Sequence, residues 1–127
     1  METHNKLVKI LLIDWTEEIT KSVQSLFPEK WVHLESVHDL GMSFQKLKQG
    51  SYNFVILDPE FPLVNSIEVV SLILMLSKTT QVIVLTTMQI SLEEQTSFLS
   101  LGVTAVFYKE TAEFLKLRNY ILGIQQS

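Results

Sequence analysis

Apolar positions cluster in four compact runs, LVKILLID (7–14), YNFVILD (52–58), TQVIVLTT (80–87) and GVTAVFYK (102–109), with a weaker fifth, KWVHLESV (30–37), between the first two. The first, third and fourth of the strong runs are nearly continuous in apolar residues instead of alternating, the signature of parallel strands covered on both faces. Helical segments separate them. TEEITKSVQSLF begins at Thr16 and puts Ile19, Val23, Leu26 and Phe27 on one stripe. DLGMSFQKLKQG has Asp39 as N-cap and Gly50 as stop, and NSIEVVSLILMLSK is capped by Asn65. SLEEQTSFLSLG pairs Ser91 with Glu94 as a capping box and closes on Gly102, and TAEFLKLRNYILGI starts at Thr111. Strands and helices alternate five times. The pattern predicts an α/β domain with one doubly wound, five-stranded parallel sheet, right-handed crossovers and five helices on its two faces.

Composition narrows this without redirecting it. At 127 residues, 46% hydrophobic and 19% charged, residues 1–127 read as a single domain with enough apolar content for a full core. The net charge is −4 and the ten Lys and Arg are scattered, so the electrostatic footprint of a nucleic-acid binder is missing. There is no cysteine, hence neither a disulfide framework nor a thiolate metal site, and His4, His33 and His38 lack metal-ligand spacing. The opening METHNKLVK lacks the apolar core of a signal peptide, and no apolar stretch reaches the roughly 20 residues that span a bilayer. The expectation is a cytoplasmic protein without membrane contact.

In open parallel sheets the functional crevice lies beyond the C-terminal ends of the strands. There the chain puts Asp14-Trp15, Asp58, Thr86-Thr87 and Lys109. A carboxylate such as Asp58 can attack phosphorus to form an acyl phosphate, and the barrier is then electrostatic. Lys109 supplies a fixed positive charge, Thr86 a hydroxyl donor, and Asp14 with Asp58 are candidate oxygen ligands for Mg²⁺, with a backbone carbonyl from PEF (59–61) and water.

This order of residues resembles the receiver domain of two-component response regulators, the chemotaxis-regulator version of the flavodoxin-like fold, over residues 7–126. In that family the first strand ends in an acidic pair, the third in a phosphoacceptor aspartate often followed by x-x-x-P, as in Asp58-Pro59-Glu60-Phe61-Pro62. The fourth ends in Thr or Ser, and the fifth resembles GVTAVFYKE. The resemblance implies Asp58 as phosphoacceptor, Asp14 as acid-pocket member, Thr86 as switch hydroxyl and Lys109 as coupling lysine. It also implies the Glu60 backbone carbonyl as a third metal ligand.

The departures bear on activity. Trp15 stands where the family has its second acid, and an indole offers only an N–H donor, so Mg²⁺ is expected to bind weakly. A one-residue shift would make Asp14 the second acid with Ile13 replacing the first; the aliphatic run ending in an acid favours the first alignment. Val106 replaces a mobile aromatic, Thr87 a small residue next to the switch hydroxyl, and Glu110 the proline after the lysine. Glu17 or Glu18 is a candidate substitute ligand, although both fit a solvated first helical turn better. Blander roles stand beside these: Asp14 as a helix cap, Thr86 as a strand residue, Lys109 as counter-ion to two carboxylates, and Trp15 as packing, pocket cover or contact patch.

The implied function is a signalling and interaction module that acts through protein contacts, with weak or absent Mg²⁺-dependent phosphorylation of Asp58. It is not a metabolic enzyme, and its only chemistry would be its own phosphorylation and dephosphorylation. The alternative is a conventional phosphorelay receiver taking a phosphoryl group from a histidine kinase. A flavin binder or hydrolase is disfavoured, because neither a Gly-rich phosphate loop nor a G-x-S-x-G elbow is present. Expected partners are a histidine kinase or another signalling protein, with a homodimer through the last two helices. The terminal GIQQS is compatible with a linker to a further domain.

Overall fold

A computed structural model describes residues 7–87 and 89–126, so His4 lies outside it. All ten expected elements are present, in the order β1 (Val8–Ile13), α1 (Glu18–Gln24), β2 (Val32–Val37), α2 (Leu40–Gln49), β3 (Phe54–Leu57), α3 (Ser66–Leu76), β4 (Gln81–Thr86), α4 (Leu92–Leu101), β5 (Ala105–Tyr108) and α5 (Thr111–Gln126). They build one parallel sheet in the order β2-β1-β3-β4-β5.

The two-residue period of a strand divides the core. Leu11, Ile13, Val55, Leu57, Val82 and Val84 meet Val69, Val70 and Ile73 of α3 and Phe98 of α4 on one face. Ile10, Leu12, Phe54, Ile56, Ile83 and Leu85 meet Val23 of α1 and Leu117 and Ile121 of α5 on the other. Both faces of the central strands are therefore dry, which is why their sequences run apolar without alternation. Each fully buried Leu or Ile contributes roughly 2 kcal/mol by leaving water.

Most caps match the sequence. Asp39 accepts from Met42 N–H at 2.7 Å, Asn65 from Ile67 N–H at 2.9 Å, and Ser91 from Glu94 N–H at 3.0 Å. Several boundaries differ from expectation, two of them for a visible reason. α1 starts at Glu18 and not at Thr16, because the Thr16 N–H and hydroxyl are both turned back onto Asp14 Oδ1. β5 starts at Ala105 and not at Gly102, because Gly102 closes α4 at φ 123, where a side chain would be strained. His33 points outward from β2, as the alternation requires.

Candidate functional site

The strand ladders extend to the residues at their C-terminal tips. Asp14 N–H donates to Val37 O, Asp58 N–H to Ile13 O, and Lys109 N–H to Thr86 O, at 3.1, 2.9 and 2.8 Å. Each functional side chain is thus launched from backbone already fixed by the sheet. The alternation that places Leu12 and Ile56 on the α1–α5 face carries on to Asp14 and Asp58, two residues later in each case. Phe107, on the same face, leads in the same way to Lys109.

Asp14 is 1% and Asp58 6% exposed, and the lysine from β5 reaches between them. Lys109 Nζ lies 2.8 Å from Asp14 Oδ2 and makes a close hydrogen-bonded contact with Asp58 Oδ2. The contact to Asp14 is an ion pair without hydrogen-bond alignment, since Asp14 Oδ2 accepts no directed hydrogen bond. Asp14 Oδ1 takes the Thr16 N–H at 2.8 Å and the Thr16 hydroxyl at 3.0 Å. The Asp14 carbonyl meets His38 Nδ1 at 2.9 Å. Asp14 therefore holds its turn and belongs to the pocket at once.

Two buried carboxylates share one ammonium, and the electrostatics follow. Burial pushes the Asp58 carboxyl above the usual carboxylate range, against the pull of Lys109 and the Glu60 N–H, and the Asp14 charge pushes the same way. Burial alone would lower the Lys109 ammonium, but its contacts with Asp14 and Asp58 outweigh that and hold it above its ordinary value. Lys109 is charged at neutral pH, and it is the counter-ion of both acids.

Thr86 is fully buried at the tip of β4, and its hydroxyl lies 3.4 Å from Asp58 Oδ1 but 3.0 Å from Glu60 Oε1. Thr87 Oγ1 also meets Glu60 Oε1, at 3.2 Å. Reading Glu60 only for its carbonyl misses this carboxylate; the available signal was an acidic side chain two residues past the nucleophile position and opposite paired threonines. Trp15 is 53% exposed and packs edge-on against Phe61, with ring centroids 6.4 Å apart at 65°. It borders the pocket and offers it no oxygen. Val106 is partly buried against the α3–α4 core, and two residues on along β5 the Tyr108 hydroxyl donates to Gln95 Oε1 of α4 at 2.6 Å. Glu17 and Glu18 are exposed, and no cis peptide occurs among the described residues.

An octahedral cation needs several free oxygens, and three of the four carboxylate oxygens of Asp14 and Asp58 already accept hydrogen bonds. The fourth, Asp14 Oδ2, faces the Lys109 ammonium, and no cluster of three acidic or histidine ligands occurs among the described residues. Hollows of about 320 and 220 Å³ lie between α2 and α3, lined by Leu76, Met75 and Lys48, and carry no convergent acid–base set. Chemistry, and not cavity size, locates the site.

Solved structures share this architecture. A CheY-like response regulator receiver domain protein from Methanospirillum hungatei superposes with a TM-score of 0.79 at 21% identity, covering 95% of this chain and 98% of its own. The chemotaxis response regulator CheY4 of Vibrio cholerae gives 0.76 at 22%, covering 91% and 99%. The signal receiver domain of a putative Luxo repressor protein from Vibrio parahaemolyticus gives 0.81 at 15%, covering 94% and 90%. No curated protein matches the sequence. At these identities the superpositions speak for the fold alone; the sequence itself matches the family profile described as "Response regulator receiver domain" over residues 10–121. A match of that extent, on a sheet whose strand tips carry the acid pocket, means that the chain belongs to the response regulator receiver domain family.

Proposed function

We propose that this receiver domain is an atypical one, which signals through protein contacts while Mg²⁺-dependent phosphorylation of Asp58 is weak or absent. The observation that carries this reading is Trp15. At the position of the second acid it turns an indole outward onto Phe61, leaving the Lys109 ammonium between Asp14 and Asp58. A phosphoryl group arriving at Asp58 needs its charge offset, and removing one carboxylate ligand removes much of the cation that would do so.

A conventional phosphorelay receiver is the second reading, favoured by the close assembly of Asp58, Lys109 and Thr86. In that case an Asp58 oxygen forms a bond to phosphorus as the P–N bond to a kinase histidine breaks, and the imidazole leaves with the electron pair. Lys109 then neutralises charge on the carboxylate side, and Thr86 is the hydroxyl at hand for a phosphoryl oxygen. Calorimetric titration with beryllofluoride in the presence of Mg²⁺ separates the two. We expect little or no heat of binding; saturable binding at millimolar Mg²⁺, abolished in Asp58→Asn, would establish the conventional reading.

The partners proposed are a histidine kinase or another signalling protein in the cytoplasm. Among the described residues no helix is long and apolar enough to cross a membrane. A homodimer through α4 and α5 is supported by their exposed Leu92, Leu99, Leu101 and Leu115. Sedimentation that stays monomeric across a wide concentration range would remove it.

A further inference from the structure

Glu60 has a role that its backbone carbonyl does not exhaust. Asp58 Oδ1 draws in the Glu60 N–H at 2.9 Å across Pro59, a tight turn that ties residue 60 to the pocket. Its Oε1 then accepts from Thr86 Oγ1 at 3.0 Å and Thr87 Oγ1 at 3.2 Å. A threonine hydroxyl has one proton to give. For Thr86 the alternative acceptor, Asp58 Oδ1, is at 3.4 Å, so the proton goes to Glu60. Both hydroxyls at the tip of β4 are consequently engaged by an internal carboxylate.

An oxyanion seated on Asp58 presents several acceptor oxygens and negative charge, and it needs donors and cations around it. Glu60 takes the donors and adds a negative charge of its own. We infer that Glu60 is a built-in gate on Asp58: its carboxylate holds the Thr86 and Thr87 hydroxyls as an internal stand-in for phosphoryl-like oxygens, and it swings out before an external oxyanion can seat. The residue is exposed, so the outward swing meets solvent. The gate rests on the reading of Asp58 as the phosphoacceptor position. It acts on the hydroxyl side of the pocket, whereas Trp15 weakens the cation side, so the two are separable by mutation.

The test is a calorimetric titration of the full chain with beryllofluoride in excess Mg²⁺. In the Trp15→Asp background, which returns a carboxylate to the cation side, Glu60→Ala should raise affinity about tenfold, and Glu60→Gln, which keeps an acceptor oxygen without the charge, should give an intermediate gain. An affinity in Trp15→Asp/Glu60→Ala no higher than in Trp15→Asp overturns the gate and leaves the Asp58 reading standing. Absence of binding in every variant, including Trp15→Asp/Glu60→Ala, overturns the Asp58 reading and the gate with it. A metal-free readout is the Glu60→Ala/Thr87→Val double-mutant cycle in urea. Favourable coupling supports the gate, and coupling indistinguishable from zero overturns it.

Discussion

Lys109 is the residue on which the pocket depends, because among the described residues it is the cation paired with both of two almost fully buried carboxylates. Lys109→Met leaves both acids without a counter-ion, and we expect urea unfolding to show a loss of about 3 kcal/mol. Adding Asp58→Asn should restore most of it, because a single remaining carboxylate is far easier to bury. Trp15→Asp should raise Mg²⁺ affinity, measured by calorimetry, if the rest of the pocket accepts the ion. No gain would place the obstacle in the pocket geometry itself, where Lys109 and the Thr16 and Glu60 N–H groups already engage the carboxylate oxygens. Asp14, Asp58, Thr86 and Lys109 were legible in the sequence because each ends an apolar run. The Glu60 carboxylate was not, because its direction depends on a hydrogen bond to Asp58 that no periodicity encodes.

Elements were legible wherever their ends carry side-chain chemistry, as at Asp39, Asn65 and Ser91. The start of α1 was not, since Thr16 serves the turn of Asp14 before any helix begins. The far end of that segment is held by α5. Arg118 donates to the Leu26 carbonyl and pairs with both oxygens of Glu29, at 3.0 and 2.6 Å. That hydrogen-bonded guanidinium holds the Glu29 carboxyl below its ordinary 4.5. A carboxylate with a depressed folded-state pKa stabilises the fold above its ordinary value, and the benefit is lost as pH falls through the lower, folded value. Glu29→Gln should therefore cost about 1 kcal/mol at neutral pH. It should also flatten the decline in melting temperature below pH 4.5, while the neutral plateau, lowered as a whole, stays independent of pH.

At the scale of the whole molecule, one sheet joins two cores, so damage to either face should be felt by both. Phe98 packs on the α4 side and Leu117 on the α5 side, and both are fully buried. Phe98→Ala and Leu117→Ala should each lower stability by about 3 kcal/mol with an unchanged urea m-value, in a single transition. Two separate transitions would show that the faces melt independently. The layered architecture followed from alternating runs and caps. The strand order β2-β1-β3-β4-β5 came into view only with the fold, because crossover direction is set by which face each helix covers and not by its length.

Trp15 has one more consequence, and it is optical. The chain contains two tryptophans, and only this one stands 53% exposed at the rim of the acid pocket, against Phe61. Trp31 is partly buried against the opposite core, so its emission should respond less to events at the pocket rim. The residue proposed to weaken the pocket for magnesium also equips it with an intrinsic fluorophore. Iodide should quench Trp15 while sparing Trp31, and a partner that covers this rim should abolish that quenching without any added dye.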